Sequence, residues 1–592
     1  MDSALRFRIL GPARSSLLLN ATKMLIIGFL SYSLLGNFEP FYEGHDSYVH
    51  ALASVNLSKG IFDISNELLQ ETGRSEFAGD RWIITDYNTA VPRLPGIGIA
   101  AFGALFFLIG GYYGLFYLTP IFTILLLIIS ERVATSLFGK YVGLFTLSCL
   151  ATSNLLFRNS INLQTESLFS VFFVLGSFYL IKYLRHKRDR TVLLASTFFA
   201  VCAAIRTTGM IIFPIEIVLI VSYFVIQTIR QKKQDIVLDQ KNVASYYSRM
   251  FFTKLMKKTN IKIFAFILIP WVVFFIFYMV YYNYYFGNPL TNYGEVINLK
   301  SYETSTSALV TVKNEDVENV KQYSKYLLPY QIPAIHNRLD QNLDDVLGNN
   351  WIGIIVLFVL FIALLVSLRA KNKRVEMLVF LLLIVTTVWF YSSITTEARA
   401  LSGVPGRYMI PVFTLSSMIY GFLLMEFLKW SLYGRQLYKR SLKPLKITVI
   451  VTVALFFIFA FYFSNPIQII ADQGLNFKDP HAYASRYPLD MEGLSKDSII
   501  FLIHTDWAID YGVIPFQPNT TKLPESIALL KQVIEEGYNV YIFKKPTYIG
   551  EKDIMKLLVN DYGIVLKDYS KTFCKMELAK DASIKSDDIC LN

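Results

Sequence analysis

Stretches of roughly 20 mostly apolar residues recur along this chain, near residues 17–38, 112–130, 141–157, 166–184, 191–207, 210–229, 261–285, 351–368, 376–394, 408–428 and 447–464. Each is long enough to carry a helix across the hydrocarbon layer, where no water can satisfy a free peptide group. Composition agrees with that reading. Of the 592 residues 54% are hydrophobic and 17% charged, with a mean hydropathy of +0.42, whereas an average soluble domain carries about 25% charged residues. One aqueous core cannot hide so much apolar surface. A soluble enzyme, a disordered chain and a fibrous protein are excluded, and the sequence reads as a polytopic α-helical membrane protein.

The formal net charge of +12 suggests no nucleic-acid partner, because basic cytoplasmic loops are the commoner cause in such a chain. Bases cluster at Lys182 to Arg190, Arg230 to Lys262, Arg369 to Arg374 and Lys429 to Lys446, and near the N-terminus at Arg6, Arg8 and Arg14. The positive-inside rule makes all of these cytoplasmic. The connections 39–93, with nine acids and four bases, and 286–350, with eight acids and five bases, then face the opposite side. Eleven crossings satisfy every sign, with the N-terminus inside and the C-terminus outside. The first run is long and has no small-residue cleavage pattern, so it reads as a span and not a removable signal.

One segment breaks the alternation. Residues 95–111, from Pro95 to Gly111, are apolar but short and studded with glycine. Were they to cross, the five bases of Lys182 to Arg190 would move outside. They are expected to be re-entrant or to lie at the outer interface, packed on protein. The alternative is an ordinary span, with another weak segment failing to cross.

Two domains follow: a transmembrane domain over 1–464 with its outer loops 39–93 and 286–350, and an extracytoplasmic soluble domain over 465–592. In the latter, Ser498 to Ile503 and Asn539 to Phe543 read as buried strands. Glu525 to Glu536 between them has helical spacing, and Gly537 stops it. Strand, helix, strand predicts a small α/β unit. The four cysteines fit no zinc spacing; Cys149 and Cys202 lie in apolar runs, while Cys574 and Cys590 could pair if that end meets an oxidising compartment.

Polar residues at the outer ends of helices are the candidates for chemistry. After Asp46, Val49, Leu52, Ala53 and Leu57 recur at helical spacing, which predicts an amphipathic helix at the interface with Asp46 as cap or first-turn residue. Asp is a favoured cap, but a carboxylate held there could also take a proton from an acceptor hydroxyl. Glu166 closes the short outer turn from Arg158. It suits the helix dipole, a metal ion, or a positive group near Asp46. Arg206 and Arg407 stand at outer helix ends, where the positive-inside rule does not place them, and arginine's planar fork binds two phosphate oxygens at once. Arg93, near the glycine-rich segment, is a further candidate by position. Acids and arginines together on the outer face suit the holding of an anionic lipid phosphate while an acceptor is activated beside it.

Several ordered fragments carry a resemblance. They are Gly44-His45-Asp46-Ser47-Tyr48 with Ala51 and Gly60, Val91 to Gly96 before the segment ending in Gly110-Gly111, and Leu137 to Leu144. Asn154 to Phe157 with Thr165-Glu166, Ala203 to Thr207, and Gly406-Arg407-Tyr408 with Pro411 complete the set. In order and sidedness the chain resembles the GT-C superfamily of integral membrane glycosyltransferases, and most of all its protein O-mannosyltransferase and aminoarabinose-transferase branch. The resemblance implies a GT-C-like fold of about eleven spans plus a re-entrant or interfacial segment. It implies a multi-pass enzyme of the cell membrane that moves a hexosyl or pentosyl group from a polyprenyl-phosphate donor to a protein, lipid or glycan acceptor. By residue, it implies Asp46 as general base, His45, Tyr48, Arg93, Arg206, Arg407 and Tyr408 in substrate binding, and Glu166 as ligand to a divalent cation (Mg, Mn or Zn) or as an aid to substrate. Family members often pair Asp with Glu in the first loop; this chain has His45-Asp46.

Two other functions are open to such a sequence. An oligosaccharyltransferase of the same superfamily is suggested by Trp507-Ala-Ile-Asp510-Tyr511-Gly512. A transporter or lipid flippase would place ionisable groups at mid-membrane and show repeat symmetry. Glu216 is the clearest acid inside an apolar run, and no repeat is evident.

Overall fold

The computed structural model describes residues 12–36, 44–78, 82–92, 94, 96–161, 163–235, 258–290, 351–369, 373–394, 404–433, 494, 498–501, 513–516, 518, 523–544, 551–570 and 573–579. Among the described residues the membrane part contains helices α1 (Pro12–Gly36), α2 (Gly44–Ser58), α3 (Glu67–Thr72), α4 (Gly98–Phe138), α5 (Lys140–Ala151), α6 (Asn154–Arg158), α7 (Glu166–His186), α8 (Asp189–Ile205), α9 (Ile212–Asp235), α10 (Lys258–Phe286), α11 (Trp351–Arg369), α12 (Arg374–Ile394) and α13 (Ile410–Tyr433). Among the described residues, seven helical stretches are long and apolar enough to cross a membrane. They coincide with seven of the eleven runs read from the sequence. Of the others, 191–207 and 351–368 are the helices α8 and α11, and 447–464 lies outside the described residues. The run 141–157 breaks: α5 stops at Ala151 because the Thr152 and Ser153 side chains bond local backbone, Thr152 Oγ1 to Ser148 O and Ser153 Oγ to Leu156 N at the start of α6.

The glycine-rich segment is the first arm of a helical hairpin. Within α4, Gly110 (φ −138°, ψ 17°) and Gly111 (φ +60°, ψ −148°) leave helical geometry. Gly111 occupies the left-handed region open to glycine. Across this turn Phe102 and Phe122 bring their ring centroids to 5.8 Å, where a straight helix would hold them about 30 Å apart. The arm 98–109 is about 18 Å long, short of the roughly 30 Å hydrocarbon layer. It packs on α2, α7 and the remainder of α4 instead of crossing by itself. Its glycines permit that packing. A Cβ on Gly103 would stand 2.1 Å from Ser54 Oγ in α2, and one on Gly96 would stand 2.4 Å from the Ala204 carbonyl at the end of α8. Neither the α8 carbonyl nor the chain at 94–98 can retreat cheaply. Gly96→Ala is therefore expected to cost about 1–3 kcal/mol, read as a lowered thermal transition in detergent; an unchanged transition would contradict the close approach.

The helix α2 departs from expectation in one respect. It forms where the spacing predicts, with Asp46 in its first turn. Yet Val49, Leu52 and Ala53 are buried together with Ser47, His50 and Ser54. It is not an interfacial helix with a wet face, because α4 covers it and the 163–165 turn satisfies its polar side: His50 Nδ1 donates to Leu163 O at 2.8 Å.

The C-terminal part is a five-stranded sheet in the order β4-β3-β5-β7-β6, with β3 (Ile499–Phe501), β4 (Ile514–Phe516), β5 (Val540–Phe543), β6 (Ile564–Asp568) and β7 (Phe573–Leu578). Strand β3 is parallel to β4 and β5, and β7 is antiparallel to β5 and β6. Helix α14 (Leu523–Glu535) crosses from β4 to β5, and α15 (Glu551–Asn560) precedes β6. The predicted strand, helix, strand order is present, followed by an antiparallel pair. This sheet rests on the loop after α2. Ser526 Oγ donates to Glu76 Oε1 at 3.0 Å, and the Phe77 and Phe516 rings meet edge to face at 5.5 Å. The same loop carries the hairpin β1 (Trp82–Ile84) and β2 (Ala90–Pro92), tied to the end of α10 by Asp86 N donating to Tyr285 O at 3.0 Å. The first loop, the α10 terminus and the C-terminal sheet share one face of the protein.

Candidate active site

At that face the turn 163–166 gathers four elements. Its main chain is pinned to α4, since Gln164 N donates to Thr119 Oγ1 at 3.2 Å. Glu166 opens α7 and is 1% exposed. Arg206 ends α8 in an extended conformation (φ −144°, ψ 126°), which turns its side chain out of the helix toward α7. Its Nη1 donates to Glu166 Oε1 at 2.8 Å and to Thr165 Oγ1 at 3.3 Å. Arg407, in a short 3-10 turn before α13, approaches the same carboxylate oxygen at 3.5 Å through Nε and donates from Nη1 to Gln164 Oε1 at 3.2 Å.

Aromatic rings hold both guanidinium groups. Arg206 lies over the Tyr408 ring at 4.2 Å and Arg407 over the same ring at 5.1 Å. Tyr408 stacks on Tyr391 of α12 at 5.4 Å, and the Tyr391 hydroxyl pairs with Thr208 Oγ1 at 2.9 Å. Such cation–π contacts fix an arginine's plane without neutralising it. Two positive groups thus share one carboxylate, and the cluster keeps a net charge of about +1, as an anion-binding site requires. Among the described residues Glu166 Oε2 has no hydrogen-bond partner.

Of the residues singled out by sequence, Glu166, Arg206, Arg407 and Tyr408 come together here. His45, Asp46 and Tyr48 belong to the first turns of α2, but their side chains lie outside the described residues, as does Arg93. Ser47, the residue after Asp46, accepts from Gln164 Nε2 at 3.1 Å, so the first turn of α2 is one side chain away from the arginine pair. The structure adds Gln164 and Tyr391, which sequence reasoning misses. Gln164 lies inside the turn that the sequence singles out, two positions before Glu166, but an uncharged amide gives no separate signal. The Trp507 to Gly512 stretch lies outside the described residues.

The described residues do not suit a divalent cation at Glu166. Two guanidinium groups already occupy one side of its carboxylate, and no group of three or more His, Cys, Asp or Glu stands together among the described residues. Glu166 is instead seen as partner to positive groups, through Oε1 to Arg206 and Arg407.

A cavity of about 710 Å³ runs between α8 and α10, a volume ordinary for a small-molecule site. Apolar side chains such as Val201, Val273, Phe274, Phe277 and Tyr281 line it, together with Pro92, Leu94 and Gly96. Ala203, Ala204 and Thr207, the sequence neighbours of Arg206, also line it, while the Arg206 side chain itself turns to Glu166. Glu216, in the second turn of α9, takes fixed partners: it accepts from Ser196 Oγ at 2.6 Å and Trp271 Nε1 at 3.0 Å. That clasp ties α9 to α8 and α10, the two helices that wall the groove.

The fold is a known one. ArnT from Cupriavidus metallidurans in the apo state, a member of the GT-C superfamily, superposes with a TM-score of 0.51 at 10% identity, over 94% of this chain and 98% of that one. The likeness is one of fold: a polytopic helical part followed by a small C-terminal sheet. ArnT bound to undecaprenyl phosphate matches with a TM-score of 0.48 at 10% identity, over 98% of this chain and 100% of that one. The archaeal oligosaccharyltransferase AglB from Archaeoglobus fulgidus, in complex with an inhibitory peptide and a dolichol-phosphate, matches with 0.44 at 12% identity, over 93% of this chain and 74% of that one. No family model matches the chain, and no curated protein matches it in sequence.

Proposed function

We propose that this chain is an integral membrane glycosyltransferase that moves a hexosyl or pentosyl group from a polyprenyl-phosphate donor to a protein, lipid or glycan acceptor on the extracytoplasmic face. One observation carries the reading: an arginine pair of net positive charge is built on the residue that ends α8, a helix lining an apolar groove, and stands beside the helix that bears Asp46. A long hydrocarbon tail ending in a phosphate has that same polarity.

The donor's isoprenoid tail lies along the groove, and its phosphate meets Arg206 and Arg407. Asp46 accepts the proton of the acceptor hydroxyl. The freed oxygen attacks the anomeric carbon from the side opposite the phosphate, the bond from that carbon to the phosphate oxygen breaks, and its electron pair stays on the phosphate. The configuration inverts. Phosphate leaves readily, so no general acid is needed, and the guanidinium groups stabilise the charge that develops on it. The second carboxylate oxygen of Glu166 serves as an acceptor for a sugar hydroxyl.

The location rests on the shared face. Cys574 is disulfide-bonded, and disulfides persist in oxidising compartments. The sheet that contains it rests on the loop after α2, which supports one side for both, and the acidic balance of the 39–93 connection favours the extracytoplasmic one.

The test is incubation of the purified chain in detergent with a panel of labelled polyprenyl-phosphate sugars and product analysis. Consumption of one of them with release of polyprenyl phosphate is expected. A chain that consumes none, or one that only moves lipid between vesicle leaflets, would overturn the reading. Filling the groove sharpens it: Val201→Trp is expected to raise KM for a long-chain donor about tenfold, a loss near 1.4 kcal/mol, and to leave a donor with a two-isoprene tail within about twofold. Equal effects on both donors would remove the groove from donor binding.

A further inference from the structure

Gln164 is buried at 6% exposure between the arginine pair and α2. A guanidinium only donates, so the side-chain oxygen of Gln164 must face Arg407 and its nitrogen must face Ser47, as their distances of 3.2 Å and 3.1 Å have it. Its backbone cannot shift to accommodate either partner. Gln164 N donates to Thr119 Oγ1 at 3.2 Å, and the preceding carbonyl of Leu163 accepts from His50 Nδ1 at 2.8 Å. The amide is a strut of fixed length whose two ends touch different halves of the site: a guanidinium on one side, and on the other the residue next to Asp46 in the first turn of α2.

Its neutrality matters as much as its reach. With Arg206, Arg407 and Glu166 the cluster holds a charge of about +1. A carboxylate of the same size at position 164 would cancel that charge and sit beside buried Glu166, at a cost typical of like charges in low dielectric.

We infer that Gln164 is a positioning residue that couples the donor-phosphate half of the site to the acceptor-activating helix. This rests on the glycosyl-transfer reading. An anionic phosphate that draws on Arg407 acts on the same guanidinium that Gln164 accepts from, and through Gln164 Nε2 and Ser47 it bears on the turn that holds Asp46. Donor occupancy and the placement of the base are thereby linked by one side chain.

The experiment measures steady-state transfer by the full-length chain in detergent, with the labelled polyprenyl-phosphate sugar that the unsubstituted protein consumes. The variants are Gln164→Glu, Gln164→Ala, Ser47→Ala and the double variant Gln164→Ala with Ser47→Ala. Gln164→Glu is expected to raise donor KM at least tenfold. Ser47→Ala, a mild change that keeps the fold, is expected to lower kcat about tenfold with donor KM within twofold. The double variant is expected to be no worse than Gln164→Ala, because both changes cut the same link. Additive losses in the double variant, an unchanged donor KM in Gln164→Glu, or a Ser47→Ala effect confined to KM would each overturn the coupling while leaving the transferase reading in place. An unsubstituted protein that consumes no donor overturns the transferase reading and the coupling with it.

Discussion

Replacing Asp46 by Asn is expected to lower kcat by about 10²- to 10⁴-fold, the range lost when a positioned base is removed, with donor KM and the thermal transition nearly unchanged. Asn keeps the size of Asp, and losing a first-turn charge costs only about 0.3–1 kcal/mol, so the substitution removes basicity and little else. Asp46 lies in the first turn of α2, the helix whose Ser47 is tied through Gln164 to Arg407. The measurement is initial velocity against donor and acceptor in turn, beside a melting curve. Full activity in Asp46→Asn would take Asp46 out of the mechanism and leave the arginine cluster to be explained by binding alone.

Arg206→Ala is expected to have the largest combined effect. It would strip Glu166, 1% exposed, of its 2.8 Å partner, and removing one side of a buried ion pair typically costs about 3–5 kcal/mol. Arg407 remains 3.5 Å from the same oxygen, which puts the cost at the lower end. Tyr408 would also lose the nearer of the two cations over its ring. Donor affinity should fall together with the melting temperature. Arg206→Lys separates the two effects: it restores a positive charge but not the planar fork that serves a carboxylate and a phosphate together, so stability should recover further than donor KM. A melting temperature unaffected by Arg206→Ala would show that the pair does not hold α7 to α8.

Parts of this site are legible in the sequence for a physical reason. Arg206 and Arg407 stand out because charge at an outer helix end runs against the usual distribution, and Glu166 because an acid opens the next span. Their meeting cannot be read locally. Arg407 and Gln164 are 243 positions apart, and tertiary packing such as that of α13 against α7 joins them. The groove is invisible in the sequence for a similar reason: Val201 and Phe277 each look like ordinary lipid-facing residues, and it takes the α8 to α10 spacing, braced by Glu216 with Ser196 and Trp271, to make a cavity of them.

Where sequence and structure part, the causes are equally physical. Periodicity places α2 correctly, yet it assigns the polar side of that helix to water, because nothing local shows that Leu163 and Gln164 satisfy it. The run 141–157 is continuous by hydropathy, while Thr152 and Ser153 end α5 by bonding backbone, an effect an apolar average conceals. The glycines of 95–111 mark an unusual segment, and Gly110-Gly111 form the turn of a hairpin. In the C-terminal sheet the apolar strands β3 and β5 are readable, but β6 and β7 carry Lys567, Lys575 and Glu577 along their open side and do not announce themselves.

The most direct measurement is a cryo-EM structure of the chain in a nanodisc with undecaprenyl phosphate added. The account requires the phosphate within hydrogen-bond reach of Arg206 and Arg407 and the isoprenoid between α8 and α10. A lipid phosphate seated elsewhere, with those guanidinium groups still closed on Glu166 and the groove empty, would contradict it.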